Sequence, residues 1–210
     1  MKRSIFLITA AFVVLSMFGP HAAAEQVLMI VKQNSPDLEL MLNKEVGVMK
    51  EMLEQAGFDV VVATASGQTL TAGTAALESD LKLADVKPAD YAGVIIPCMA
   101  SGASEPAPEA PGAAAIVKEA VAAGKPVAAQ LASVLILAEA GVMSGKKFAS
   151  GEDAVKDKPV LADAVFSGTG VIQDGKIITS GICPYMEKNL GLKDGTPELT
   201  QALIAELSGK

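Results

Sequence analysis

The chain has 210 residues, 50% of them hydrophobic and 20% charged, with 24 acidic against 17 basic side chains. Its 19 glycines and 11 prolines are ordinary usage, which excludes a fibrous or disordered chain. A chain of this length and composition is typical of one soluble globular domain.

The N-terminal segment has the pattern of a secretory signal peptide. A basic start at residues 1–3 (MKR) precedes an apolar run at 4–18, and the small residues at 22–24 suit signal peptidase. The apolar run is shorter than the roughly 20 residues of a membrane span, and no cysteine for a lipid anchor follows the cut. We expect cleavage after Ala24, a soluble protein in the periplasm, and a single domain over residues 25–210.

The mature chain lacks the side chains on which many enzyme classes depend. Without its first 24 residues it has 15 basic and 24 acidic side chains, a net charge of −9, and no Arg, His or Trp. The absence of His excludes Ser-His-Asp and Cys-His nucleophile pairs and imidazole metal sites. An acidic chain without Arg also has no charge pattern for nucleic acid. We therefore expect no nucleic-acid partner, no membrane partner after cleavage and no cofactor.

Segments of strand and helix character alternate along the mature chain. Apolar runs at 26–31 and 59–63 flank the stretch 46–56, whose apolar residues recur at three- and four-residue spacing, so they predict a β-α-β unit with its helix ending at Gly57. The later predicted elements are a strand at 91–96, a loop at 100–111, a helix at 112–123, a strand at 126–129, a helix at 134–140, a hairpin at 171–180 and, after the capping pair Thr196-Pro197, a helix at 198–207.

This alternation predicts an α/β fold with a mostly parallel sheet covered on both faces, because strands buried on both sides need no polar alternation. The hairpin is the antiparallel exception. Ligands of such sheets bind at the carboxyl ends of the strands. The residues that follow Val31, Ile96, Ala129 and Ser180 are therefore candidates for a site.

Three runs of the sequence resemble the DJ-1/PfpI family: ADYAGVIIP at 89–97, VKEAVAAGKPVAA at 117–129 and ILAEAGVMSGKK at 136–147. The resemblance continues through the hairpin and the last helix, and it weakens over 65–86 and 182–195. It implies a flavodoxin-like three-layer sandwich and a homodimer or larger oligomer. The family it points to includes proteases, amidases, glyoxalase- or deglycase-like enzymes and stress proteins.

The resemblance also locates the family's active site in this chain. Active members carry a Cys, usually followed by His, at a strained turn between a strand and a helix. Residues 129–133 (AQLAS) occupy that turn, with Leu131 at the nucleophile position and Ala132 at the His position. The family's Pro-Gly-Gly after the third strand reads Pro97-Cys98-Met99 here. The resemblance therefore predicts a degenerate nucleophile site, as in a pseudoenzyme.

Two polar side chains near this turn have competing interpretations. Glu45 falls, by its spacing from Gly57, where the family keeps the acid that hydrogen-bonds its Cys. Alternatively, it is a carboxylate near the start of a helix that complements the helix dipole. Ser133 is the hydroxyl nearest the turn in sequence, and without a His base we expect it to cap the following helix rather than to act as a nucleophile.

The two cysteines, Cys98 and Cys183, each follow a predicted strand, and both strands open on the same predicted pocket. In an exported protein the first interpretation is a disulfide between them. The second is a pair of inert thiols. The third is a functional role, either as a relocated reactive thiol or as a soft-metal site. In the soft-metal site the nearby Met99 and Met186 would suit Cu(I). These three interpretations stay open at the level of sequence.

Together these patterns predict a non-catalytic periplasmic member of the family, with a stress-related role among the options. Its pocket would bind a small molecule or a protein partner and is lined by Glu45, Cys98, Met99, Leu131, Ala132 and Cys183. The first alternative is a thiol-dependent hydrolase or a glyoxalase- or deglycase-like enzyme that uses Cys183 or Cys98, with Glu45 moving the proton. The second alternative is a redox or Cu(I)-binding protein that uses both cysteines.

Overall fold

A mostly parallel sheet of seven strands lies at the centre of the part of the chain that the computed structural model describes, residues 24–33, 35, 37–98 and 112–209. The strands are, in chain order, β1 (Gln26–Ile30), β2 (Asp59–Thr64), β3 (Leu70–Ala72), β4 (Ala75–Leu77), β5 (Leu81–Lys82), β6 (Gly93–Ile96), β7 (Val127–Gln130), β8 (Lys147–Phe148), β9 (Val165–Phe166), β10 (Val171–Asp174) and β11 (Ile177–Ser180). The sheet has the order β10-β11-β7-β6-β1-β2-β5, in which the β10–β11 pair is antiparallel and the other neighbours are parallel. This arrangement confirms the predicted α/β fold.

The helices flank this sheet. They are, in chain order, α1 (Leu38–Met41), which continues through a π-helical stretch (Leu42–Val46) into α2 (Gly47–Gln55), then α3 (Ala113–Ala122), α4 (Val134–Glu139), α5 (Glu152–Val155), α6 (Pro184–Leu190) and α7 (Thr196–Leu207). Short 3₁₀ turns occur at Leu83–Asp85, Pro88–Asp90, Leu131–Ser133 and Pro159–Leu161. Within the described ranges, no helix combines the length and the apolar character needed to cross a membrane.

Two hydrophobic clusters, one on each face of the sheet, hold three layers together. Leu28 and Ile30 of β1 belong to the cluster that includes α3 and α4, whereas Val27 and Met29 belong to the cluster that includes α2 and α7. All four positions of β6 are buried as well. Because both faces of these strands are covered, their sequences are continuously apolar. The arrangement agrees with the flavodoxin-like three-layer sandwich that the resemblance implied.

Most of the predicted element boundaries are confirmed within a few residues. Helix α2 ends beside Gly57, whose φ of +92° is a conformation that glycine adopts without steric cost. The predicted hairpin joins β10 to β11 through Gly175, with a φ of +64°. The last helix begins earlier than predicted, at Thr196, because Asp194 accepts hydrogen bonds from both the N–H and the hydroxyl of Thr196. Thr196 is thus the first residue of the helix instead of its cap.

The stretches where the resemblance weakens contain elements that the sequence did not predict. Residues 65–86 form the β3–β4 hairpin and the edge strand β5, and residues 182–195 contain α6. The predicted signal peptide, apart from Ala24, and the predicted loop at 100–111 lie outside the described residues. Those two remain predictions.

Candidate functional site

The carboxyl ends of four adjacent strands, β1, β6, β7 and β11, meet at one edge of the sheet. Lys32, Cys98, Leu131 and Cys183 each follow the end of one of these strands, and all four are buried. Because parallel strands deliver the residues after them to the same edge, this is where an α/β sheet assembles a site. The candidate residues of the sequence therefore converge here.

The elbow, defined as residues 129–133, has a strained backbone at Leu131, the position that the resemblance assigns to the nucleophile. Leu131 directly follows β7 and has a φ of +48°, a conformation that costs a non-glycine residue about 1–3 kcal/mol. Its carbonyl oxygen accepts a hydrogen bond from Ser150 Oγ at 3.0 Å, and its side chain is buried. Neither Leu131 nor Ala132 has an atom that could attack a substrate. The turn therefore has a backbone like that of a nucleophile elbow, with a leucine at its strained position.

Gly151 makes room for the leucine of the elbow. A Cβ atom at position 151 would lie 2.7 Å from Leu131 Cδ1 and 3.7 Å from Met186 Sδ. Leu131 and Met186 therefore both pack over the glycine. Among the described residues, the space beside the elbow is occupied by these side chains.

Ser133 links the elbow to the segment that carries Cys98. It lies at the N-cap of α4, but its side chain makes no capping hydrogen bond. Its Oγ instead donates to the carbonyl oxygen of Pro97 at 2.7 Å, in a buried position. The predicted capping role is therefore wrong, because the loop after β6 passes close enough to accept the hydroxyl.

Glu45 is fully buried in the π-helical stretch between α1 and α2. Its Oε1 accepts a hydrogen bond from the backbone N–H of Cys98 at 2.8 Å. The alternative in which this carboxylate serves a helix dipole is wrong, since the helical segment begins at Leu38 and the side chain contacts the site. A π-helical turn inside a helix is common at functional sites, where the extra residue redirects a side chain.

Cys98 and Cys183, called the thiol pair below, are fully buried free thiols that share a hydrogen bond. Donating to Cys183, together with burial, raises the pKa of Cys98 well above its usual range. Accepting that bond lowers the pKa of Cys183, against the effect of burial, and the N–H groups of Met186 and Tyr185 at the start of α6 lower it further. Of the two thiols, Cys183 is therefore the one whose ionisation the site favours.

Three charged side chains act on the thiol pair. Glu45 raises the pKa of Cys98 and Lys32 lowers it, although these effects are smaller than those of the hydrogen bond to Cys183 and of burial. Asp194, in the segment before α7, raises the pKa of Cys183. Sequence reasoning did not single out Lys32. The signal that could have found it is its position directly after Val31, at the end of a predicted strand.

The structure brings part of the predicted pocket together. Glu45 is linked to the thiol pair by its hydrogen bond from the N–H of Cys98. Leu131 packs over Gly151 together with Met186, whose N–H acts on Cys183. Met99 lies outside the described residues. The disulfide stays a prediction, since both cysteines are thiols here. Among the described residues, no group of three or more His, Cys, Asp or Glu side chains could hold a metal ion, so Cu(I) binding by the two cysteines also stays a prediction.

Three open cavities lie elsewhere on the described surface. One of about 570 Å³ borders α5 and β9, one of about 460 Å³ lies beside the π-helical stretch, and one of about 360 Å³ is lined by Ser180 and Asp194. Neither Glu45 nor Leu131 nor either cysteine lines any of these three cavities. The predicted ligand pocket is therefore none of these cavities, and small-molecule binding there stays a prediction.

Comparison with known proteins identifies relatives over most of the chain. Residues 25–188 match the model of the DJ-1/PfpI family, a range that contains the elbow, Glu45 and the thiol pair. An uncharacterized protein of Archaeoglobus fulgidus is 31% identical over 156 residues, which cover 74% of this chain and 88% of that protein. The match thus includes the parts of the molecule described above.

Solved structures support the same fold. DJ-1beta of Drosophila melanogaster has a TM-score of 0.62 at 23% identity, over 89% of this chain and 92% of that chain. A two-domain protein of Anabaena variabilis with dj-1/thij/pfpi-like and ferritin-like domains has a TM-score of 0.65 at 21% identity, over 88% of this chain. This chain spans 48% of that protein's length. At these identities the likeness concerns the fold alone.

Proposed function

The chain belongs to the DJ-1/PfpI family, and from that premise we propose that it is an exported, non-hydrolytic member whose thiol pair is a reversible thiol/disulfide switch. The observation that carries the proposal is the placement of two fully buried free thiols, at the ends of two strands and in one hydrophobic cluster, where each shifts the pKa of the other. A disulfide joins cysteines whose Cα atoms lie about 4.4–6.8 Å apart. Because Cys98 and Cys183 follow β6 and β11, which flank β7, both lie in loops outside the sheet, and the proposed closure would move these loops.

Hydrolysis at the elbow lacks its reacting groups. Leu131 and Ala132 stand at the positions that the resemblance assigns to Cys and His, and the chain from residue 25 onward has no His. Glu45 accepts a hydrogen bond from the backbone of Cys98, next to the thiol pair. The reactive atoms near the elbow are thus the two sulfurs, which supports a thiol-based function over an acyl-transfer one.

The oxidant class that fits this pair is a hydroperoxide. The Cys183 thiolate attacks the terminal oxygen, so that an S–O bond forms, the O–O bond breaks, and the leaving alkoxide or hydroxide takes a proton. The Cys98 sulfur, after losing its proton, attacks the resulting sulfenic acid, so that the S–S bond forms and water leaves. Two thiols and one hydroperoxide give one disulfide, one alcohol or water, and one further water. A low-molecular-weight thiol restores the pair by exchange and leaves as its own disulfide.

Burial restricts the reaction partners to small molecules. Cys98 and Cys183 have no exposed surface, so a cysteine of another folded protein would have to open the site to reach them. Hydroperoxides and small thiols need only transient access. The switch is therefore proposed to sense small oxidants, as in a stress response, rather than to exchange disulfides with proteins.

The proposed compartment is the periplasm, where the predicted signal peptide would deliver the chain and where disulfides persist. Small-ligand or partner binding, a homodimer and a hydrolase that uses either cysteine remain predictions of the resemblance. None of them draws support from the contact between the two sulfurs.

The test is a titration of the reduced protein with one equivalent of hydrogen peroxide, followed by intact mass spectrometry. We expect the wild type to lose two hydrogen atoms and to regain them with dithiothreitol. Cys98→Ser should instead accumulate a sulfenic acid that dimedone traps, because the second thiol is missing, and Cys183→Ser should stay unoxidised at this dose. Two free thiols in the wild type after oxidation, or a Cys98→Ser product identical to that of the wild type, would refute the switch.

A further inference from the structure

Lys32 is a buried lysine at the end of a central strand. It lies just beyond β1, and 4% of its surface is exposed. β1 pairs with β6 in parallel, with Met29 opposite Ile95, so Lys32 and Cys98 each lie three residues beyond a paired position at the same edge of the sheet. Lysine is almost never fully buried unless its charge has a counterpart, because removing an ammonium group from water is costly. Its position therefore suggests a role in the site.

The electrostatics of the site agree with this placement. The hydrogen bond to Cys183, burial and Glu45 all raise the pKa of Cys98, and Lys32 lowers it. Among the described groups that act on Cys98, Lys32 is thus the one that favours its thiolate. Asp194 acts on the other thiol, from the segment before α7. The charged groups that face the pair are therefore Lys32, Glu45 and Asp194.

We propose that Lys32 is a positioning residue that stabilises the negative charge on the Cys98 sulfur at the moment when the disulfide closes. This inference rests on the proposed function and names the group that makes its second step possible. In the resting pair Cys183 is the thiol whose pKa is lowered, and the raised pKa of Cys98 keeps its proton in place.

The need for a cation arises once Cys183 has been oxidised. As a sulfenic acid it carries no charge and no longer holds the proton of Cys98 in place. Cys98 must then lose that proton to attack, in a buried setting that disfavours an anion and beside Glu45, which also disfavours it. The ammonium group of Lys32 acts in the opposite direction and counteracts part of these effects. Water takes the proton of Cys98 before the attack and returns a proton to the departing hydroxide, so that one water leaves and Lys32 neither gains nor loses a proton.

The first test isolates Cys98 in the Cys183→Ser background, so that its outcome does not depend on disulfide formation. The pKa of Cys98 is measured from the ultraviolet absorbance of the thiolate against pH. Lys32→Met should raise that pKa by about one unit, as expected for the loss of an opposite charge a few ångströms away. Lys32→Arg should restore most of the shift. Lys44→Met, which removes an exposed lysine from the π-helical stretch, is the matched control and should leave the pKa unchanged.

The second test measures closure in the otherwise native pair. After rapid oxidation of Cys183, the rate at which the sulfenic acid disappears should fall about threefold to fourfold in Lys32→Met at neutral pH. A one-unit rise in pKa lowers the thiolate fraction tenfold, and the greater nucleophilicity of the more basic thiolate offsets about half of that on a logarithmic scale. The pH profile of closure should move upward by the same one unit, which a purely structural role would not produce.

The two tests separate the two proposals. If the wild type fails to form a disulfide but Lys32→Met raises the Cys98 pKa, the switch is refuted. The effect of Lys32 on the ionisation of Cys98 is then still supported. If Lys32→Met and Lys44→Met give the same Cys98 pKa, Lys32 has no such role. Methionine places an apolar end in a buried position, so loss of folding is not expected. Lys32→Gln, which keeps a polar end, serves as a second neutral variant.

Discussion

The elbow and the thiol pair lie side by side at one edge of the sheet, yet they have opposite properties. At the elbow, Leu131 keeps a left-handed backbone conformation without any reactive atom. In the thiol pair, two buried thiols act on each other's pKa, and neither Cys98 nor Cys183 has a positive φ. Strain persists at the elbow because its surroundings fix it: Ser150 donates a hydrogen bond to the carbonyl oxygen of Leu131, and Ser133 of the elbow donates one to the carbonyl oxygen of Pro97.

This contrast shows that the geometry and the chemistry of a site are separable. The strand–turn–helix arrangement fixes the elbow whether or not a nucleophile is present. The reactive groups depend on single side chains, which here occupy the ends of the neighbouring strands. A fold can thus keep the backbone of an elbow without a reactive side chain at its strained position.

The largest expected effect concerns Glu45, which holds the backbone of Cys98 in the thiol pair. Glu45→Ala should lower the free energy of unfolding by about 2–4 kcal/mol, because it leaves the buried N–H of Cys98 without its acceptor and opens a cavity. Glu45→Gln keeps an acceptor oxygen and should cost about 1 kcal/mol or less. Urea denaturation measures both variants. An unchanged midpoint for Glu45→Ala would mean that this hydrogen bond does not hold the site.

The next effect concerns the elbow and its neighbour Gly151. Gly151→Ala should destabilise the protein by about 1–3 kcal/mol, because its Cβ would lie 2.7 Å from Leu131 Cδ1. Leu131→Ala removes the obstructing atom at the cost of a cavity. The double variant should lose less stability than the sum of the losses in the two single variants, and a double-mutant cycle measures the difference. Strict additivity would show that the two residues do not share this space.

A smaller effect sharpens the assignment of charge within the thiol pair. Cys98→Ala removes the donor that lowers the pKa of Cys183, so that pKa should rise by about one unit. Cys98→Ser keeps a donor and should leave the pKa near its wild-type value. Thiolate absorbance against pH reports both. Equal Cys183 pKa values in the two variants would mean that the hydrogen bond does not place the charge on Cys183.

The smallest effect tests whether strain alone confers reactivity. Leu131→Cys puts a thiol on the strained turn, but Glu45 remains bonded to the N–H of Cys98 and the chain from residue 25 onward has no His. We expect no gain of hydrolysis above wild type with activated esters or peptides. Clear turnover in Leu131→Cys would contradict the view that the elbow lacks more than its nucleophile.

Much of the fold could be predicted from sequence because its signals are local. Continuous apolar strands, helical spacing ending at Gly57 and the turn at Gly175 each depend on a few neighbouring residues. The β3–β4 hairpin and α6 escaped prediction because they are short and their sequences carry weak periodicity. Their formation depends on packing against the rest of the chain.

The site was predictable in position but not in its bonding. The convergence of strand ends located Cys98, Leu131 and Cys183, and the family resemblance located Glu45. That Glu45 binds the N–H of Cys98, and that Ser133 binds Pro97 instead of capping α4, depends on how separate loops approach each other. Lys32 was missed because a lysine after a strand is usually exposed. The identity of a single residue does not show that its side chain is buried.

The most direct test of the thiol switch is a thiol count on the mature protein, recovered from an oxidising compartment under acid quench and alkylated with and without reductant. The account predicts a mass two hydrogen atoms below that of the fully reduced chain, and no alkylation of Cys98 or Cys183 until reductant is added. Two alkylated cysteines without reductant, both before and after exposure to hydroperoxide, would contradict it.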